Sequence, residues 1–358
     1  MRTTALVLLA VIALVLAPPA VASAAAPARV CTIRDERLDE LSGLVAAGAG
    51  YVVVNDGSDF ADRRRIFFLD GSCKVTRTVR YPSRPRDTED LGRAADGTLW
   101  VADIGDNGGS RTTVALWKLA PGAKTPILHR LTYPDGAHDA EAVLVPADGN
   151  PIIVTKSGGT AGIYVAAGAL RRGSTTTLRK AGDVTVPLTG TSNPFSFLGR
   201  AVVTGGATSP DGRHVVLRTY ADAFEYDVTD GDVVGALTSG QPRAVALPDE
   251  PQGESVTYSA DGRSLLTVSE TSGDSAGARP VILRYPLPDR PAAAPTSAAP
   301  PSAAPTSAAP LAAPASSPAA AELQAESPGF NYIAVVAGAV AVAAVVLAAL
   351  LVVRRSRP

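Results

Sequence analysis

The chain has 358 residues, with 33 basic and 34 acidic side chains, a formal net charge of −1 and 46% hydrophobic residues. Charge this balanced leaves no electrostatic footprint for nucleic acid or for an anionic membrane surface, so neither is expected as a partner of the folded part. Two cysteines and three scattered histidines make no zinc-ligand spacing.

In chain order, residues 1–26 carry one arginine, an apolar run and the small-x-small sequence Ala22-Ser23-Ala24. This predicts a secretory signal peptide. Residues 27–290 form the expected folded ectodomain. Residues 291–330 are rich in Pro, Ala and Ser and repeat "APTSAAP" twice. Such a segment cannot build a core and is expected to be an extended stalk. Residues 331–353 are apolar and long enough to cross a bilayer, and the tail 354–358 holds Arg354, Arg355 and Arg357. Basic residues stay inside, so the expectation is a monomeric, single-pass type I protein of the cell membrane with an extracytoplasmic ectodomain.

Within the ectodomain a turn signal recurs: Asp96-Gly97, Asp148-Gly149, Asp211-Gly212 and Asp261-Gly262, with Gly50 as an earlier partial copy. Asp-Gly between apolar runs predicts type I′ hairpins. Short strands follow each glycine ("YVVV", "LWVA", "IIV", "HVVL", "SLLTV"), and a third strand follows each of those. The glycines are 47, 52, 63 and 50 residues apart. Repeats of this length with several strands and no helix predict an all-β fold, a β-propeller of five blades. Six is the alternative, because "PLTGTSNPFSFLGRAVV" in the longest interval has room for two more strands. The last repeat ends after its third strand and a spare strand, "ARVCTIRDE", precedes the first. The N-terminal strand is therefore expected to complete the last blade. In an exported chain Cys31 and Cys73 read as a disulfide, here one that staples that seam.

Counting back eight residues from each turn glycine gives Ser42, Glu89, Glu141, Thr204 and Glu254. All are polar and all begin a first strand, which in a propeller lines the central channel. The ends of the second strands carry Asp56, Asp103, Asn107, Lys156, Arg218 and Glu270. Antiparallel pairing brings both sets to one mouth, where loops on a rigid frame bind and react. Carboxylates gathered at one mouth can bind a cation, and hard oxygens of the Glu, Asp and Asn type suit Ca²⁺ or Mg²⁺. Ser42, Asp56, Asn107, Thr204 and Glu270 are expected ligand-binding residues. Lys156 and Arg218 are expected to hold an anionic substrate, and His138, beside Asp139, to act as acid or base. The stretch 87–107 alone supplies Asp87, Glu89, Asp90, Asp96, Asp103 and Asp106.

At "TEDLGRAADGTLWVADIGDNGGSR", "DAEAVLV", "SPDGRHVVLRTYADAFEYDV" and "QGESVTYSADGRSLLTVSE" the chain resembles exported actinobacterial β-propeller proteins. More distantly it is similar to calcium-dependent propeller hydrolases, the phytase-like esterases and the gluconolactonase/regucalcin group. The resemblance implies calcium at acidic residues of the channel mouth and an activated water nearby. By position it makes Glu89, Glu141, Glu254 and Asp103 the ligands; Ser42 and Thr204 depart from an all-acidic ring. The functional expectation is a tethered binding module for a cell-wall polymer or a protein partner. The alternative is a calcium-dependent hydrolase of phosphoesters or lactones.

Overall fold

A computed structural model describes residues 27–273 and 277–288. The expected signal peptide, stalk, membrane helix and tail lie outside the described residues. Among the described residues no helix is long and apolar enough to cross a membrane.

The fold is all-β. It opens with β1 (Ala28–Thr32). A first antiparallel meander follows: β2 (Leu41–Ala47), β3 (Gly50–Asn55), β4 (Arg65–Leu69) and β5 (Val75–Arg80). The second is β6 (Asp90–Arg93), β7 (Leu99–Asp103), β8 (Val114–Leu119) and β9 (Ile127–Thr132). The third is β10 (Ala140–Leu144), β11 (Ile152–Thr155), β12 (Thr160–Ala166) and the long β13 (Thr175–Thr185). The fourth is β14 (Gly205–Thr208), β15 (His214–Arg218), β16 (Asp222–Asp227), a short helix α1 (Val233–Ser239) and β17 (Arg243–Ala246). The last is β18 (Gln252–Tyr258), β19 (Ser264–Glu270) and β20 (Val281–Pro286), and β1 pairs antiparallel with β20 as its fourth strand. The second and third meanders join in one eight-stranded sheet, because Thr175–Thr177 of β13 pair in parallel with Arg130–Thr132 of β9.

Five apolar clusters lie between these meanders, and each draws on two neighbours. Val52, Val54 and Ile66 meet Leu99, Val101 and Trp117. Trp100, Leu116 and Leu131 meet Val143, Ile153 and Tyr164. Ile152, Val154 and Ile163 meet Val215, Leu217 and Phe224. Val216 and Ala223 meet Val256, Leu265 and Tyr285. The fifth returns to the start: Leu266, Val268 and Ile282 of the last meander meet Tyr51, Val53 and Phe67 of the first. This cycle explains the unalternating "YVVV". Successive side chains of a strand point to opposite faces, and each face here has its own apolar neighbour. The arrangement is that of a β-propeller. Cys31 and Cys73 form a disulfide that ties the closing strand to the β4–β5 turn of the first meander.

Two expectations are overturned. Residues 187–203 contain no further strand; they form a loop with one 3-10 turn at Leu198–Arg200. The Asp-Gly turns are not type I′. Gly97, Gly149, Gly212 and Gly262 take positive φ, but the aspartates before them do not. Each turn glycine donates its N–H to the carbonyl three residues back: Ala94, Pro146, Ser209 and Ser259. Each aspartate accepts the N–H two residues on, of Thr98, Asn150, Arg213 and Arg263. This is a type I turn closed by a left-handed glycine, with the Asp side chain as a local acceptor. The proline in "SPDG" suits it, since the ring fixes φ near −65°, as the second position of this type I turn requires.

Candidate functional site

The five inner strands β2, β6, β10, β14 and β18 stand next to one another around the channel. Each carries a β-bulge at the same place. Register breaks between Leu41 and Gly43, Ala140 and Ala142, and Gly253 and Ser255, which leaves Ser42, Glu141 and Glu254 as the extra residues. Glu89 donates its N–H to Ala102, the residue that Asp90 opposes; Thr204 does the same with Arg218, opposite Gly205. A bulge places two residues against one and re-aims the side chain there. The repeat thus delivers the same displaced position to the axis five times.

The acidic mouth has two halves. In the first, one oxygen each of Asp56, Asp87 and Glu89 lies within 4.8 Å of the other two. Oxygens about 2.4 Å from a shared Ca²⁺ are at most about 4.8 Å apart, so this spacing fits one cation. Two glycines make the room. A Cβ at Gly105 would overlap the carboxylates of Glu89 and Asp87, and one at Gly57 would overlap Asp87. In the second half, Lys156 Nζ donates to Glu141 Oε1 and lies 5.9 Å from the centre of the Tyr220 ring. The Tyr220 hydroxyl donates to Glu254 Oε1 over 3.4 Å, and the Gln252 amide bridges Glu254 and Glu270. The remaining oxygens, Glu141 Oε2 and Glu254 Oε2, are buried with no hydrogen-bond partner.

Burial and mutual repulsion dominate the electrostatics. Burial, then Asp56, Glu141 and Glu254, pushes the Glu89 carboxyl well above the usual range. Asp56 is pushed up to about 8, by burial first and then by Glu254 and Asp87. Glu270 is pushed up to about 10, by burial first and then by Glu254 and Asp56. Burial works against the charge of Lys156, yet Glu141, Tyr220 and Glu254 hold it firmly protonated. Unpaired buried carboxylates either keep their protons or take a cation.

Several expected site residues serve the frame instead. Asp103 accepts the N–H groups of Arg86 and Asp87 and pairs with Arg111 at 2.9 Å and with the Trp117 indole at 3.2 Å. Its lone pairs are committed to the loop that holds Asp87 in place, so it does not join the cation cluster. Arg218 is fully buried between the fourth and last meanders; it pairs with Glu250 at 2.6 Å and donates to the carbonyls of Ser255 and Thr219. Buried and committed to these partners, it serves the frame between the two meanders. His138 bonds Asp135 and Tyr164 at 2.9 Å and packs edge-on against Tyr133, at the interface of the second and third meanders. Ser42 donates to the carbonyl of Glu89, and Thr204 to that of Gly253. Both hydroxyls link neighbouring inner strands rather than offer themselves to a ligand. Asn107 sits exposed in the loop after β7. Asp56, Glu89, Glu141, Lys156, Glu254 and Glu270 are the expected residues that do come together.

The acidic run 87–106 divides by task. Asp87 and Glu89 face the mouth. Asp90 accepts from the N–H groups of Leu91, Val143 and Gly206, so it bridges three inner strands deeper in the channel. Asp96 caps its turn, and Asp106 caps its own loop by accepting from Ser110 and Arg111. Sequence reasoning left out Asp87, Tyr220 and Gln252 as site residues. A signal exists for two of them. Two residues before each ring position stand Glu40, Asp87, Asp139, Val202 and Gln252, four of them polar. Tyr220 carries no periodic mark.

No protein-family profile matches the chain, and no curated protein does. Solved structures similar to it include a gluconolactonase from Xanthomonas campestris, at 14% identity over 67% of this chain and 69% of that one, with a TM-score of 0.38. A luciferin-regenerating enzyme aligns at 15% identity over 69% and 78% of the two chains, TM-score 0.38. A streptogramin B lyase aligns at 12% identity over 68% and 65%, TM-score 0.34. Likeness at this level carries no argument about chemistry, which rests on the residues themselves.

Proposed function

We propose that this chain is a five-bladed β-propeller whose acidic channel mouth binds a divalent cation, Ca²⁺ by its ligand chemistry, and hydrolyses phosphoesters or lactones there. The observation that supports it is a conjunction. Three carboxylates are spaced for one cation, and across the mouth two buried glutamate oxygens have no partner. Asp56, Asp87 and Glu89 are the holding residues. A bound cation of this kind polarises a phosphoryl or carbonyl oxygen and eases ionisation of water. Lys156 has N–H groups beyond the one given to Glu141 and can donate to a substrate oxygen, and the free oxygen of Glu141 or Glu254, once ionised, can accept a proton from an attacking water. Placement of the propeller outside the membrane, on a stalk and a single helix, belongs to the same proposal and rests on the sequence pattern.

The test is turnover by the full chain on phosphomonoesters and lactones, with Ca²⁺ or chelator, beside Glu89→Gln. Hydrolysis that needs the cation and fails in the variant is expected. Activity that ignores both would sink the reading. One observation favours a second reading, a cation-dependent binding module for a wall polymer or a protein. Lys156 is already neutralised by Glu141, so the mouth offers little positive charge of its own to an anionic substrate. Calcium binding without turnover on either substrate class would select it.

A further inference from the structure

Among the described residues, large apolar side chains are exposed mostly at one end of the propeller. Among the described residues the exposed ones are Phe60, Ile127, Leu188, Phe195, Phe197 and Leu198. Topology places five of the six on the acidic face. Phe60 lies in the β3–β4 loop, which leaves the same end of its sheet as Asp56. Leu188, Phe195, Phe197 and Leu198 lie in the β13–β14 loop, which leads into Thr204 at the ring. Only Ile127, at the start of β9, is at the other end. A soluble surface tolerates scattered apolar residues, but a group of them beside a polar cleft calls for a ligand.

The β13–β14 loop is held at the mouth by its own bonds. Thr191 donates to Asp222 at 2.7 Å, Arg200 to the Thr191 carbonyl at 2.9 Å, and Gly159 to the Ala201 carbonyl at 3.1 Å. Phe195 packs on Tyr220 with ring centres 4.3 Å apart. Tyr220 in turn bonds Glu254 and stands beside Lys156. Contacts therefore run from the polar mouth, across the Tyr220 ring, to Phe195, whose loop also carries Phe197 and Leu198, 60% and 59% exposed. Residues held this far open gain nothing for the fold.

We propose that the mouth takes amphipathic small molecules. The oxygen-rich head enters among the carboxylates, the cation they hold and Lys156, and an aromatic or alkyl body lies on Phe195, Phe197 and Leu198. The inference rests on the cation reading above and names the substrate class for that site. Charge argues for this occupant: the head group's anionic oxygens complement a bound cation, and the apolar body covers the loop beside it.

The experiment uses the full chain in detergent, with detergent alone as the blank. Calorimetry compares methyl phosphate with 2-naphthyl phosphate at saturating Ca²⁺, in the native chain and in the double variant F197S/L198S. Both positions are exposed, so the fold does not depend on them. The native chain should bind the naphthyl ester about tenfold tighter or more, a difference of about 1.4 kcal/mol. The variant should bind both esters alike. Equal affinities in the native chain, or a preference that survives in the variant, would overturn the proposal. If Ca²⁺ binds but the esters are not distinguished, this inference alone falls. If neither Ca²⁺ nor any ester binds, the cation reading falls and takes it along. A variant that changes the oligomeric mass by light scattering while keeping the preference would make the loop a contact between copies and would also refute it.

Discussion

Calcium should stabilise this propeller, and pH should reveal why. Without a cation, Glu89, Asp56 and Glu270 hold protons that the unfolded chain has released above about pH 4. A raised folded-state carboxyl pKa means that the native state binds more protons than the unfolded one. Stability then falls as pH climbs from the unfolded value toward the folded one. For Asp56 that window closes at about 8. Chelated protein should therefore melt at progressively lower temperature between about pH 5 and pH 8. Calcium takes the ionised form and should reverse the trend. At a concentration about a hundredfold above Kd it adds about 2.7 kcal/mol. For a domain of this size that is a rise of roughly 5–10 °C. Glu89→Gln separates the two effects. It should melt as high as native protein or higher in chelator, because it removes a repelled buried carboxyl, and it should gain nothing from calcium. The assay is a set of thermal melts from acid to mildly basic pH, with and without calcium, in both proteins. A chelated melting temperature that rises over this range, or a variant that still responds to calcium, would refute the reasoning.

Other outcomes follow from the same geometry. Gly105→Ala should weaken calcium binding in calorimetry by more than about tenfold, since its Cβ would overlap the Glu89 and Asp87 carboxylates. Replacing Cys31 and Cys73 by serine opens a link between residues 42 apart and should cost about 4 kcal/mol in denaturant melts. Arg218→Ala leaves Glu250 buried and unpaired and should cost about 3–5 kcal/mol in the same melts. Asp103→Asn should lower the melting temperature in chelator, because it disrupts the Arg111 pair, whereas Glu89→Gln should not. Equal losses in those two variants would contradict the separation of frame and site.

Much of the fold is legible in the chain. The recurring turn glycines, the strands after them and the spare N-terminal strand are local signals, and each marks an element of the sheets. The two cysteines lie on the strand and the turn that close the ring. The equal count back from each glycine finds the ring positions because a repeat preserves backbone register. What the count cannot reveal is the partner of each side chain. Glu89 and Asp90 are adjacent in sequence, yet the bulge turns one to the mouth and the other onto the N–H groups of Val143 and Gly206, residues 53 and 116 positions away. Asp103 looks like a ligand until Arg111 and Trp117 close on it. Lys156 and Arg218 end equivalent strands, but only Arg218 meets a buried glutamate across a blade interface. The turn type also escaped, because Asp-Gly suits two turns and the choice depends on the length of the loop.

The sequence by itself determined the strands, their repeat and the end of the molecule where acidic residues gather, because those depend on local turn chemistry and on periodicity. Only the tertiary structure decided which acids stay without partners. That depends on what other blades bring to the same few ångströms, and such neighbours are separated along the chain by distances that no local pattern records.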